Sequence, residues 1–187
     1  KFSKVRHQIS QWSFNDAFTK EEIHDFDTRV KKFLKGETPT YTAELKIDGF
    51  KIVLTYTKGV LVTGATRGDG VTGEDVTVNV RTIESIPLRL NQPIDLVVEG
   101  EIWLSAKEFK RINREREKAG EPIYANPRNL AAGTIRQLDA NLVAGRSLDS
   151  FIYDIAKASI PLPKTQLAEL ELLKDLGFKV NAHFMAC

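Results

Sequence analysis

The sequence predicts an α+β fold with largely antiparallel sheets, and three observations carry that prediction. Strand-like stretches come in hairpins: Lys51 to Tyr56 and Val60 to Ala65 flank a turn at Lys58-Gly59. Helix signals stand apart from the strands and do not alternate with them as βαβ units require. The 187 residues are 42% hydrophobic and 28% charged, enough for one ordinary buried core.

Each element follows from local chemistry. Phe2 to Phe18 is polar with scattered aromatics and reads as irregular. Thr19-Lys20-Glu21-Glu22 is a capping box, with Thr19 as N-cap and Glu22 returning to it. Ile23, Phe26, Val30, Phe33 and Leu34 recur at helical spacing up to Gly36, so a helix is expected over Lys20 to Lys35 with that stripe as core. Tyr41 to Ile47 is the next strand, followed by the hairpin. Gly68, Gly70 and Gly73 mark a turn-rich loop.

Asp95 to Leu104 is a strong strand. Leu96, Val98, Gly100, Ile102 and Leu104 share one face, and Val97, Glu99, Glu101 and Trp103 the other. Ser105 and Glu108 form a second capping box, opening a helix that fades before Gly120. Asn126-Pro127 reads as N-cap and first helical residue, with Leu130, Ala131, Ile135 and Leu138 inward. Arg128 and Arg136 stand about two turns apart and lean toward a common region. Phe151 to Ile155 is a short strand, Thr165 to Leu176 a helix closed by Gly177, and Phe178-Lys179-Val180 a final strand.

The balance of 27 Lys+Arg against 25 Asp+Glu gives a net charge of +2, which excludes global electrostatic steering toward nucleic acid. A local basic excess runs from Lys107 to Arg136. It reads as a candidate phosphate-facing surface or as a solvated helix face with internal pairs. The single cysteine, Cys187, excludes an internal disulfide framework or a cysteine zinc site. No apolar run reaches membrane-spanning length.

The stretch Glu44-Leu45-Lys46-Ile47-Asp48-Gly49 is the chemical centre. In an extended strand Glu44, Lys46 and Asp48 point one way, Leu45 and Ile47 the other. Charges on one face of an apolar strand either meet water or line a site.

Lys46-Ile47-Asp48-Gly49 contains the Lys-x-Asp-Gly motif of the covalent nucleotidyltransferases. Further segments narrow the resemblance: Ala65-Thr66-Arg67-Gly68-Asp69-Gly70, Thr72-Gly73-Glu74-Asp75-Val76-Thr77, Asn79-Val80-Arg81-Thr82-Ile83, Gly100-Glu101, and the run from Ala125-Asn126-Pro127-Arg128 through Gly133-Thr134-Ile135-Arg136 to Asp139. In order and spacing they resemble the adenylation domain of the NAD-dependent bacterial DNA ligases over nearly the whole chain. Consistent context across several motifs is what gives such a match its specificity.

The resemblance implies the nucleotidyltransferase fold over residues 1–187 and assigns expected roles. Lys46 resembles the nucleophile that takes AMP, with Asp48 and Glu101 beside it. Glu44 resembles the reader of the adenine amino group, with Leu45 next to it; Arg67 and Glu101 resemble ribose contacts. Tyr153 occupies the place of the aromatic that stacks on adenine, and Ser13 and Phe14 that of the loop closing the pocket. Asp48 and Asp69 resemble carboxylates around a hydrated Mg2+. Arg128 and Arg136 resemble arginines that contact DNA. NAD as AMP donor, nicked double-stranded DNA as partner, a monomer, no membrane, and a bacterial cytoplasmic, nucleoid-associated setting follow as expectations. Alternatives are a non-catalytic nucleotide- or DNA-binding fragment and an ATP-dependent polynucleotide ligase relative.

The chain departs from the family pattern in two kinds of place. Ser13-Phe14-Asn15-Asp16 stands where Ser-Leu-Asp-Asn is usual, and Asp154 where glycine is common. The later Asp-Gly motifs with phosphate-binding lysines, the N-terminal module for the nicotinamide half, and the barrel (OB), zinc-finger, helix-hairpin-helix and BRCT domains lie outside this sequence. It therefore reads as a fragment, truncated at its C-terminal end. A lysine with a free pKa of about 10.4 must become neutral to attack phosphorus. Nearby carboxylates oppose that, so weak self-adenylation is expected of this chain alone.

Overall fold

In the computed structural model, which describes residues 1–187, the chain opens with β1 (Lys4–Arg6), α1 (Lys20–Phe33) and β2 (Thr42–Glu44). The hairpin β3 (Phe50–Thr57) and β4 (Val60–Thr66) leads to β5 (Thr72–Glu74) and α2 (Thr77–Val80). Then come β6 (Leu96–Trp103), α3 (Ala106–Lys118), α4 (Pro127–Ile135) and α5 (Ala140–Ala144). The chain closes with β7 (Asp149–Ala158), α6 (Gln166–Asp175) and β8 (Phe184–Ala186).

The central sheet has the order β4-β3-β6-β7, antiparallel throughout. Lys58 and Gly59 both take positive φ, 48° and 76°, which gives the hairpin a turn whose twist matches its strands. Two small antiparallel pairs, β1 with β5 and β2 with β8, flank the sheet. This mixed α/β architecture agrees with the expected antiparallel sheets.

One face of the sheet is the core. Ile52, Leu54, Val98, Ile102 and Ile152 pack there with Leu130, Ala131 and Ile135 of α4 and Leu170 and Leu173 of α6. The other face carries Lys51, Glu99 and Glu101: Lys51 pairs with Glu101 across β3–β6, and Glu99 with Asp154 across β6–β7. The register shifts between Glu99 and Gly100, which pair with Asp154 and Ile152, so Tyr153 is the extra residue of a β-bulge. Residues 5–11 lie over the remainder of this face, above Val53, Thr55 and Val97.

The caps form as expected, with one difference. Thr19 and Glu22 make a full reciprocal box. Ser105 accepts from Glu108 N at 3.1 Å, but the Glu108 carboxylate turns to Arg111 instead of back to the cap. Asn126 accepts from Asn129 N at 2.8 Å ahead of Pro127.

Several expectations are corrected. The apolar stripe of α1 is not core: no residue of this helix is buried, and Phe33 is 83% exposed. The helix meets Tyr41, whose ring lies 6.0 Å from that of Phe26 between centroids and whose hydroxyl donates to Asp27 Oδ1 at 2.8 Å. The strand at Tyr41 to Ile47 is limited to Thr42–Glu44, because its only partner, β8, is three residues long. Lys46 therefore sits in an irregular link between β2 and β3 and not on a strand. Leu138 points outward, 75% exposed, since α4 ends at Ile135. The last strand is Phe184–Ala186, not Phe178 to Val180; Lys179 instead accepts at its carbonyl from Ile152 N. The opening segment holds β1, which sequence reading placed in irregular chain. Of the basic helix α3, Arg111 pairs with Glu108 and Glu115, and Arg116 with Glu121, so much of its charge is neutralised internally.

Candidate active site

A cavity of about 680 Å³ opens beside the link between β2 and β3. Glu44, Leu45 and Lys46 line it from one side, Glu101 from the sheet, Tyr153 and Asp154 from the bulge, and Arg67 with Ser13 and Phe14 from the opposite wall. The link is held against the sheet by Gly49: a Cβ there would lie 2.5 Å from the Ile102 carbonyl oxygen, so only glycine lets the backbone approach β6 this closely. This close approach, just ahead of the Phe50–Ile102 pair, fixes the end of the link that carries Lys46 into the cavity lining with Glu101.

Glu101 is the most perturbed acid of the cavity. Burial pushes its pKa up to about 7, opposed by the positive charges of Arg128, Lys46 and Lys51. Its Oε2 is buried without a hydrogen-bond partner. A buried acceptor left unpaired is costly, so this oxygen is suited to receive a donor from a bound molecule. Two residues earlier, Glu99 is satisfied: Lys51 Nζ lies 2.5 Å from its carboxylate. Lys51 also donates to the Trp12 carbonyl at 3.1 Å, which ties the N-terminal segment to the sheet.

That segment forms the opposite wall. Arg67 Nη1 donates to Ser13 Oγ at 2.6 Å, and Phe14 lies 6.2 Å from Tyr153 between centroids, tilted by 53°. At that separation the two rings form a tilted contact pair, with Phe14 against Tyr153. Burial raises the pKa of the Tyr153 hydroxyl, helped by the negative charges of Glu101, Glu99 and Asp154. Burial also raises Glu44, with Asp154 adding to the rise and Gln166 opposing it.

A family model described as NAD-dependent DNA ligase adenylation domain matches residues 1–187. The chain belongs to that family. The DNA ligase of Thermotoga neapolitana is 53% identical to it over 186 residues, all of this chain and 27% of the relative. The DNA ligase of Carboxydothermus hydrogenoformans is 49% identical over 183 residues, 97% of this chain and 28% of the relative, and that of Brevibacillus brevis is 49% identical over 180 residues. The chain thus spans about 27% of the length of such curated relatives.

In this adenylation domain Arg128 and Arg136 both line the cavity mouth and already hold partners. Arg128 Nη1 is 3.2 Å from Asp48 Oδ1, and Arg136 Nε is 3.2 Å from a Glu74 carboxylate oxygen, with its guanidinium 4.9 Å above the Phe50 ring. Neither Asp48 nor Asp69 is among the residues that line the cavity; Asp48 meets it only through its contact with Arg128. Asp69 Oδ1 accepts from Val71 N and Thr72 N, and these bonds hold its pKa below the usual carboxylate range. No three His, Cys, Asp or Glu side chains are grouped to ligate a metal directly. The residues present suit only a hydrated Mg2+ held through water by Asp48, since such an ion keeps most of its water. No helix is long and apolar enough to cross a membrane.

Sequence reading missed Lys51, Asp154 and Gln166 as cavity residues. Lys51 was reachable, because hairpin parity puts it on the Glu101 side of β3. Asp154 depends on the bulge, and Gln166 on how α6 docks; neither leaves a local sequence signal.

Proposed function

We propose that this domain takes AMP from NAD onto Lys46 and serves a DNA ligase that seals nicks in double-stranded DNA. The observation that carries the reading is the gathering of Glu44, Leu45, Lys46, Arg67, Glu101, Tyr153, Ser13 and Phe14 around one cavity, in a chain of the NAD-dependent ligase adenylation family. The adenine ring stacks on Tyr153 once Phe14 moves aside, and Glu44 accepts from its amino group. Glu101 Oε2 accepts from a ribose hydroxyl, with Arg67 alongside. Lys46 Nζ attacks the α-phosphorus in line. An N–P bond forms as the bond to the departing phosphate oxygen breaks, nicotinamide mononucleotide leaves, and the amine proton goes to solvent. Catalysis of this kind rests on positioning and charge neutralisation. A hydrated Mg2+ near Asp48 would supply positive charge against the phosphates. Arg128 and Arg136 face the DNA backbone at the cavity mouth, positioning contacts that carry no sequence information. The AMP then passes to a 5′-phosphate at a nick, and the adjacent 3′-hydroxyl displaces it. NAD and DNA as substrates imply the bacterial cytoplasm.

Intact mass of the 187-residue protein after incubation with NAD and Mg2+ tests this reading. A slow gain of one AMP is expected, and Lys46→Ala should abolish it. An adduct formed from ATP but not from NAD, or one that persists in Lys46→Ala, would overturn it. So would the absence of both an adduct and any AMP binding.

A further inference from the structure

Residues 12–18 run between two fixed points, and Ser13, Phe14 and Asp16 among them line the cavity. Upstream, Gln11 is buried and its N–H donates to the Gly70 carbonyl at 2.8 Å. Downstream, Thr19 caps α1. Between them no backbone-to-backbone hydrogen bond forms, and Trp12, Phe14 and Phe18 are exposed. Such a stretch opens at small free-energy cost unless side chains hold it. Residues 12–14 are held by Lys51 Nζ, which donates to the Trp12 carbonyl at 3.1 Å, by Arg67 Nη1, which donates to Ser13 Oγ at 2.6 Å, and by Phe14 against Tyr153. The second and third of these engage groups that a bound nucleotide would itself use. The Lys51 contact engages none of them, so it can form over an empty cavity and over a filled one. Its donor is held ready by Glu99, whose carboxylate lies 2.5 Å from the ammonium.

We propose that Lys51 is a positioning residue that latches the Trp12–Phe14 segment over the adenosine site, through the Trp12 carbonyl. The inference rests on the reading that AMP stacks on Tyr153 and meets Arg67. When the nucleotide enters, Phe14 leaves Tyr153 and Ser13 leaves Arg67, so the segment lifts. With the nucleotide seated, the Trp12 carbonyl returns to Lys51. A bond made equally in the empty and the filled closed forms favours neither of them. It therefore slows entry and escape alike and leaves affinity unchanged. The worth of one hydrogen bond to a charged group sets the size of the effect, roughly tenfold on each rate. Lys51 thus governs how long the nucleotide stays within reach of Lys46.

Stopped-flow mixing of the 187-residue protein with AMP, followed by the fluorescence of Trp12 on the segment, gives both rates, and calorimetry gives the affinity. The double variant Lys51→Met/Glu99→Leu removes the donor without leaving a buried unpaired charge. Glu99→Gln keeps Lys51 and a hydrogen-bonding partner for it. Circular dichroism confirms that each variant is folded. In the double variant both rates should rise by roughly tenfold while Kd stays within about twofold of wild type. Glu99→Gln should stay within about twofold of wild type on both rates. Slower association, or a loss of affinity as large as the change in rate, would mean damage to the site and would overturn the proposal. Wild-type rates in the double variant, or equal acceleration in Glu99→Gln, would also overturn it while leaving the reading of the adenosine site intact. Failure of wild type to bind AMP would defeat that reading first and this inference with it.

Discussion

Lys51 Nζ and the Glu99 carboxylate stand 2.5 Å apart with side chains only 14% and 11% exposed. The pair crosses from β3 to β6 on the cavity side of the sheet. Removing one partner of such a pair leaves a buried charge, at a cost of about 3–5 kcal/mol. Lys51→Met should therefore lower the melting temperature by on the order of 10 °C, and the double variant Lys51→Met/Glu99→Leu should recover much of that. Thermal unfolding of the three proteins checks it; a single-variant shift under about 2 °C would count against a desolvated pair.

Glu101 links stability to pH. Its folded pKa of about 7 lies above the free carboxyl value, so the native state binds more protons than the unfolded one between the two. Stability from this group is present below about pH 4.3 and is lost as pH rises through about 7. Glu101→Gln should thus leave melting almost unchanged at about pH 4 and raise it relative to wild type at about pH 8. A constant difference across that range would show that burial does not hold the proton.

Two glycines should respond with opposite sign. Gly49→Ala drives a methyl to 2.5 Å from the Ile102 carbonyl and should destabilise by about 1–3 kcal/mol, displacing Lys46 as well. Gly133 lies within α4, and a Cβ there meets nothing within 4 Å. Gly133→Ala should stabilise by about 0.5–1 kcal/mol. Denaturant unfolding of both variants decides it, and equal effects would refute the close approach at Gly49.

Arg128 and Asp48 are 58% and 77% exposed, so their contact contributes about 1 kcal/mol at most. Arg128→Ala should leave melting within about 4 °C of wild type. In binding to nicked DNA it should weaken affinity without regard to sequence and reduce the salt slope by about 1. An unchanged slope would remove Arg128 from the phosphate contacts proposed for it.

Much of the fold was legible because its signals are local. The Lys58-Gly59 turn, the capping residues Thr19, Ser105 and Asn126, and the alternation of β6 each depend on neighbours within a few residues. The differences have separate causes. Periodicity tells which face of α1 is apolar, not whether anything covers it, and it does not show that α4 stops at Ile135 before Leu138. Short pairings such as β1 with β5 join segments some seventy residues apart and leave almost no local trace.

By itself the sequence carried the antiparallel character of the main sheet, through its hairpin and strand alternation, and, through a resemblance spread over several motifs, the family to which the chain belongs and most of the residues that line the cavity with Lys46. Tertiary structure alone decided that Lys46 rides on an irregular link pressed to β6 by Gly49, that Glu101 keeps a buried unpaired oxygen, and that a bulge turns Tyr153 and Asp154 toward the cavity. Close approach, burial and register are relations between distant segments, and the free energy that sets them arises only when those segments meet.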